Sequence, residues 1–365
     1  MEKYYIFFSC SLGFGPKTFL KLLEKFETAE NIYNTPKEKL ISAGFKGKSL
    51  EKFLESKAEF DFKKYLEKMR MAKVEFIPYG DKYYPSGLKK IDSPPIGLFI
   101  KGNRNLLLSK NNICVVGARK ITGYGRQVTE TLVADLVRNN IVITSGMAMG
   151  VDSVAHETAI KNKGLTIAVL GCGVDCPYPK ENEKLYEEIL DANGLIVSEY
   201  PLGMSANVGT FPARNRILAA LANGVLITEA AEGSGSLITA EWGLKLSKKV
   251  FAVPGPITSK MSKGTLKLLR QGATLVQGWE DILENFQLPT TNFQSKSKIA
   301  NLKLNKEEKL VYKTIENEPL EIDKIVRITK IPAGKLMVIL TDLELRGIVK
   351  NSEGKFGITQ LRETA

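Results

Sequence analysis

Residues 113–156, ICVVGARKITGYGRQVTETLVADLVRNNIVITSGMAMGVDSVAH, decide the fold. Ile113–Val116 is a continuous apolar run, and so is Ile141–Thr144. Continuous rather than alternating apolar residues suit strands buried on both faces. Between them, Arg126–Arg138 has the length and amphipathic spacing of a helix. A glycine-rich turn follows each strand, GARKITGYG after the first and SGMAMG after the second. Strand, turn, helix, strand is the unit of a parallel sheet, and such sheets bind ligands beyond the carboxyl ends of their strands.

The alternation extends outward over residues 73–287. Further apolar runs are Val74–Ile77, Leu98–Ile100, Thr166–Leu170, Leu195–Val197, Val225–Thr228, Val250–Val253 and Thr274–Val276. Lys180–Asp191, Phe211–Ala222 and Leu237–Leu246 are helical stretches among them. The expected class is therefore α/β, an extended Rossmann-like, doubly wound parallel sheet. Residues 1–72 read as a separate helical domain. There SLGFGPKTFLKLLEKF sets Gly13 and Gly15 before a helix with Pro16 in its first turn. This looks like a helix-hairpin-helix element in a small SAM-like domain. Residues 288–304 are polar and read as a linker. Residues 305–365 read as three helices, Glu308–Ile315, Ile322–Thr329 and Gly334–Arg346, then a hairpin. Its strands are Ile348–Lys350 and Phe356–Ile358 about a Ser352–Glu353–Gly354 turn, which makes a winged helix.

Composition narrows the function. The chain has 365 residues, 43% hydrophobic and 25% charged, which is globular and multi-domain. Its apolar runs fall far short of the roughly 20 residues of a membrane helix. The first ten residues lack the pattern of a secretory signal, so a cytoplasmic protein without a membrane partner is expected. Four cysteines make no disulfide framework. The single histidine, His156, excludes zinc-finger and HExxH sites, and no metal or cofactor is expected. The net charge of +12 permits a nucleic-acid partner. Residues 1–72, 73–287 and 288–365 carry 14, 24 and 14 Lys/Arg against 10, 20 and 10 Asp/Glu. Each segment is +4, so total charge does not locate a binding face.

The strand-end turns do. GARKITGYG is neither a dinucleotide fingerprint, whose third glycine would fall at Val128, nor a Walker A loop. What remains is Gly117 at a turn, then Arg119 and Lys120 at a strand end, where a guanidinium grips phosphate. Ser145 and Gly146 open the second turn and allow close backbone approach. Asp152 suits a helix N-cap, and His156 shares its helical face one turn on. The pair reads as a cap and a buried histidine rather than an acid–base dyad, because no nucleophile or metal partner accompanies it. LGCGVDCPYPKEN supplies Gly173, the stacking face of Tyr178, the Lys180 cation and the Asn182 amide. Cys172 and Cys176 lack the second pair that zinc needs. FPARNRILAAL places Pro212 in a first turn and Arg214 and Arg216 on different sides of the helix, with Asn215 between. One arginine is expected to read phosphate while the other buttresses the sheet. Ser234 and Gly235 expose amides and hydroxyls at the next helix start. Glu229, Glu232 and Glu241 would serve glycosidic chemistry only if two of them converged.

Seven strings stand in one order over residues 79–280: VGARKITGYG, SGMAMGVDSVAH, TIAVLGCGVDCPYP, IVSEYP, FPARNRILA, TEAAEGSGSLITA and VFAVPGPI with KGTLKLLRQGA. The set resembles the DNA-processing protein A (DprA) family. The resemblance implies a Rossmann-like fold without dinucleotide, single-stranded DNA binding, loading of the RecA recombinase, a role in natural transformation, and homodimers. It implies a binding protein, not an enzyme. Arg119 falls in the family's Gly-Ser/Ala-Arg turn, Lys180 just after the Tyr-Pro motif, and Arg214, Asn215 and Arg216 in its FPxRNR motif. Where the family has Gly-Thr-Asn, this chain has Gly264, Thr265 and Leu266. The alternative is a nucleotide-acting phosphoribohydrolase of the cytokinin-activating, lysine-decarboxylase-like type. EGSGSLITAE lacks the Pro-Gly-Gly loop of that family. A nuclease would need a clustered metal set that the sequence does not offer. The last winged-helix helix carries Lys335 but also Asp342 and Glu344, which suits a protein contact better than DNA reading.

Overall fold

The computed structural model describes residues 2–11, 14–284, 304–315, 319–346, 348–352 and 354–358. Gly13, Glu353 and all of the 288–304 linker except Leu304 lie outside the described residues. The chain forms two compact units, Met1–Leu288 and Pro289–Ala365.

The first unit opens with six helices: α1 Glu2–Cys10, α2 Pro16–Phe26, α3 Ala29–Asn34, α4 Lys37–Ser42, α5 Lys48–Glu59 and α6 Phe62–Met71. Pro16 stands at the first position of α2, where its missing N–H leaves no bond unmade. The helices close over an aromatic core of Phe7, Phe8, Phe14, Phe19, Phe45 and Phe53.

The sheet follows. Its strands are β1 Glu75–Pro78, β2 Gly97–Gly102, β3 Asn112–Val116, β4 Val142–Ser145, β5 Thr166–Val169, β6 Leu195–Ser198, β7 Gly224–Ile227, β8 Lys249–Ala252 and β9 Thr274–Leu275. Between them run α7 Gly123–Arg138, α8 Val151–Lys161, α9 Glu183–Asp191, α10 Thr210–Leu221, α11 Gly235–Lys245 and α12 Lys263–Arg270, with α13 Trp279–Leu283 after β9. The order is β1-β2-β6-β5-β4-β3-β7-β8-β9. Every apolar run expected to be a strand is one. From β6 to β9 the pairing is parallel.

The expectation of an all-parallel sheet is corrected at one edge. β1 pairs antiparallel with β2, and β2 antiparallel with β6. Parallel neighbours need a crossover, usually a helix. Between β1 and β2 the chain makes only the short turn Leu88–Lys90.

The central strand shows why its residues are apolar throughout. Ile113 and Val115 pack with Leu132, Val133 and Leu136 of α7 and Val151 of α8. Cys114 and Val116 face the other way, toward Ile217 and Leu218 of α10 and Ala240 of α11. Each fully buried Val, Leu or Ile contributes about 1.5–3 kcal/mol, so a polar residue on either face would be costly. That double burial makes β3 the rigid centre from which the first glycine turn departs.

The second unit contains α14 Lys306–Thr314, β10 Leu320–Glu321, α15 Ile322–Thr329, α16 Ala333–Leu345, β11 Val349–Ser352 and β12 Lys355–Ile358. The antiparallel order β10-β12-β11 adds a short strand to the expected hairpin. Leu336, Ile339, Leu340 and Leu343 of α16 are buried, and Lys335 pairs with Glu307 at 2.6 Å. Ile328, Met337, Val338 and Leu345 remain exposed. Among the described residues, no helix is long and apolar enough to cross a membrane.

Candidate nucleic-acid interface

The parallel strands β3 to β8 deliver their turns to one edge of the sheet. Chain order reverses between β3 and β7, where such folds seat a phosphate against a helix N-terminus. Here the seat is filled from within. Glu229, just after β7, is buried, and its carboxylate accepts from Thr122 N at 3.0 Å and Thr122 Oγ1 at 2.6 Å. Thr122 is the N-cap of α7. A Cβ on Gly125 would collide with the Glu229 carboxylate. The Glu229 carbonyl in turn accepts from Ala118 N at 2.8 Å. One residue thus ties both sides of the crevice and fixes the turn that carries Arg119. Of the three carboxylates considered above, Glu229 is a brace, while Glu232 and Glu241 are exposed.

The glycines expected to admit a ligand mostly admit neighbouring turns. A Cβ on Gly117 would lie 2.6 Å from Val151, one on Gly146 2.7 Å from Asp152 and Arg214, and one on Gly173 2.6 Å from the Pro201 carbonyl. At these positions the absent side chain makes room for neighbouring protein atoms. Ser145 is buried and donates to the Val115 carbonyl at 2.6 Å. Asn182 is buried and donates to the Met147 carbonyl at 2.8 Å. Both side chains hold the strand-end turns together.

Asp152 is not the N-cap of α8. That position belongs to Gly150, whose φ of +84° favours glycine. The Asp152 carboxylate reaches back to the amides of Gly146 and Ala148, at 3.1 and 3.4 Å. Burial pushes its carboxyl up to about 6, against the pull of Arg214 and those amides. His156 is buried, with Nδ1 on Thr166 Oγ1 at 2.6 Å. Burial, with Arg214 adding, pushes its imidazole down to about 3. The two do not bond to each other, in keeping with the buried-histidine reading.

Both FPARNR arginines point inward. Arg214 is 3% exposed; its Nη1 donates to the Gly146 carbonyl at 2.7 Å and to the Val169 carbonyl. Arg216 is 8% exposed and grips Glu199 bidentately at 2.6 and 2.5 Å, with Nε on the Ser93 carbonyl at 3.1 Å. Asn215 donates to the Gly235 carbonyl at 3.1 Å. Both guanidiniums are turned into the fold, Arg214 through Nε and Nη1 and Arg216 through all three nitrogens. They pin the start of α10 to three strand ends. Lys248 pins its other end through the carbonyls of Ala219, Ala220 and Ala222.

What remains outward is compact. The Arg119 guanidinium lies 5.3 Å from the ring centre of Phe211, and the Tyr178 ring lies 5.5 Å from the same ring. Phe211 stands in the first turn of α10, so the turns after β3 and β5 meet on the helix that Arg214 and Arg216 immobilise. Tyr178 is 48% exposed. Lys180, two residues on, is exposed, as are Arg119 and Lys120. Among the described residues no carboxylate pairs with any of these three cations. Ser234 caps α11 through Ser236 N, and Gly235 beside it is open to solvent. The sequence reading missed Phe211. Its signal was present, an aromatic residue directly before Pro212 at a helix start. Leu266, in place of the family's Asn, is half-buried on α12.

The chemistry on offer is anion contact beside an aromatic shelf. Among the described residues, no group of three or more His, Cys, Asp or Glu side chains is arranged to hold a metal ion.

The chain is similar in sequence and fold to known proteins. The family model "DNA recombination-mediator protein A" matches residues 75–287, and the "DprA winged helix domain" model matches residues 297–355. The Smf protein of Synechocystis is 31% identical over 97% of each chain. The solved DNA processing protein A of Streptococcus pneumoniae superposes with a TM-score of 0.68 at 34% identity, covering 79% of this chain and 99% of that one. The Helicobacter pylori protein, solved for its single-stranded DNA binding mode, gives 0.53 at 34% identity, over 58% of this chain and 94% of that one. Fold, ordered motifs and full-length similarity agree: this chain belongs to the DNA recombination-mediator protein A family, the DprA/Smf family.

Proposed function

We propose that this protein binds single-stranded DNA across the strand ends of its central sheet and hands it to the RecA recombinase during natural transformation. The observation that carries the reading is Arg119 over the Phe211 ring beside exposed Tyr178, with Lys120 and Lys180 exposed next to them in sequence. Phosphates lie on the cations and on the open Ser234–Gly235 turn, while a base stacks on Tyr178. Arg214, Asn215 and Arg216 act as positioning residues, holding α10 and its Phe211. The single-strand mode of the Helicobacter pylori relative supports the choice of ligand. RecA delivery, homodimers and a cytoplasmic site of action are part of the same proposal, carried over from the resemblance. The protein acts as a binder rather than an enzyme. The phosphoribohydrolase alternative loses its phosphate seat, which Glu229 fills.

The test is fluorescence anisotropy with single-stranded and duplex oligonucleotides over a range of salt. Three cation–phosphate contacts give a slope of log affinity against log salt of about −2 for a single strand. Equal affinity for both DNAs, or no salt dependence, would refute the reading. A RecA nucleation assay on protein-coated strands then tests the hand-over separately.

A further inference from the structure

The last helix of the second unit, α16, is built to face two ways. Of its 13 residues, Leu336, Ile339, Leu340 and Leu343 line the core, and all the others are exposed. Along the middle of the outer side run Gly334, Val338, Thr341 and Leu345, at spacings of four, three and four. That interval keeps an a/d seam on one face of a helix. Val338 is 71% exposed and Leu345 84%. Gly334 is a second sign. A Cβ there would meet nothing within 4 Å, so no described neighbour calls for glycine at a helical position that disfavours it.

The two ends of this seam complement each other. A twofold axis between Val338 and Thr341 relates two antiparallel α16 helices. It sets Val338 against Thr341, and the protruding Leu345 against Gly334 of the other copy, at both ends. The flanks agree. Lys335 and Asp342 lie on one flank, seven residues apart, and the antiparallel arrangement brings each Lys335 beside the other copy's Asp342. Their partners within the chain are Glu307 for Lys335 at 2.6 Å and Arg346 for Asp342 at 2.9 Å. Both are surface pairs, which cost little to share. The opposite flank carries Met337 and Glu344, whose carboxylate accepts from Asn351 N at 3.1 Å. There Met337 meets the other copy's Glu344, and no like charges are opposed. A parallel pair would stack Gly334 on Gly334 and leave Lys335 about 10 Å along the axis from Asp342. Antiparallel helices also oppose their dipoles.

We infer that the outward seam of α16 is a self-contact, which pairs antiparallel with the same helix of a second copy. Two helices about 20 Å long bury less than the roughly 1,000 Å² of a lasting interface. The contact therefore serves chains already held near one another, as neighbours on one DNA strand would be. The pairing depends neither on DNA binding nor on which surface holds the proposed homodimer.

The test is cross-linking of full-length chains by a short bis-maleimide, without DNA. Chains carrying Gly334→Cys and chains carrying Leu345→Cys, told apart by a size tag, are treated alone and mixed. The wild type gives the background of the half-buried Cys10 and Cys176. The mixture should yield about tenfold more cross-linked dimer than either chain alone, since like positions of an antiparallel pair lie about 16 Å apart along the axis. Val338→Glu in both chains should remove that excess. Leu108→Glu, which charges an exposed leucine of the first unit, should leave it. Lys335→Asp in one chain should lower the yield about threefold, and Asp342→Lys in the other should restore it. Equal yields from the mixture and from each chain alone overturn the inference. So does an excess that survives Val338→Glu, or one that Leu108→Glu loses equally. No excess, with Val338→Glu weakening duplex DNA binding instead, would make α16 a DNA contact and overturn it too.

Discussion

Two pairs of cations stand at the same edge of the sheet and do opposite work. Arg214 and Arg216 are buried on α10, their guanidiniums closed onto carbonyls and Glu199. Arg119 and Lys180 are exposed, Arg119 over the Phe211 ring and Lys180 beyond Tyr178. All four fall in or directly after ordered family motifs, so the motif does not reveal the role. What separates them is whether the protein itself supplies the counter-charge. An arginine buried on carbonyls and a carboxylate sets the position of the elements around it, while an exposed one without a carboxylate partner is available to a ligand.

The comparison can be broken, beginning with its largest effect. Arg214→Ala should lower stability by about 3–5 kcal/mol, because it strips a buried polar network of its centre. Arg119→Ala should change stability by less than about 0.5 kcal/mol. Urea denaturation reads both. An Arg214→Ala protein of wild-type stability that had lost DNA binding would reverse the assignment.

Glu229→Ala tests the brace. It leaves Thr122 without its acceptor and should cost about 1–3 kcal/mol. Formate, small enough to enter the vacated seat, should recover part of that loss, whereas chloride at equal ionic strength should not. A seat filled for packing alone would show no such selectivity.

Tyr178→Ala should weaken single-strand binding by about 1–3 kcal/mol, while Tyr178→Phe should bind as the wild type does. Stability should be untouched, since the ring is half in solvent. Loss of affinity in the Phe variant would mean that the hydroxyl, not the ring face, makes the contact.

A pH-dependent effect lies beneath the site. His156 is held neutral to about pH 3, so the folded chain refuses a proton that the unfolded chain takes up near pH 6.5. Its contribution is full above pH 6.5 and is lost as the pH falls toward 3, at up to about 1.4 kcal/mol per pH unit. His156→Gln should remove this part of the slope. The imidazole resonance of the one histidine should not shift between pH 8 and 5. A midpoint near 6.5 would show that the ring is not sealed in.

Much of the fold was legible in the sequence because double burial writes itself as unbroken apolar runs. Ile113–Val116 and Val225–Thr228 needed no other signal. Strand direction was less legible, since β2 is as apolar as its parallel neighbours. The cue was the connection, YGDKYYPSGLKKIDSPPIG, too rich in glycine and proline for a crossover helix. Exposure was legible at Arg119, Lys120 and Lys180, which stand in turns after apolar strands. It was illegible where the role depends on distant partners. Arg214 is buried by carbonyls 68 and 45 residues away, and Glu229 by a threonine 107 residues away.

The central claim is that the outward cations, not the buried arginines, hold single-stranded DNA. The most direct measurement is a single-strand titration of Arg119→Glu/Lys180→Glu, with its stability checked in parallel. Affinity should fall by about 100-fold, and the salt slope should flatten from about −2 to about −0.7, at unchanged stability. Wild-type affinity and slope in a folded double variant would contradict the account.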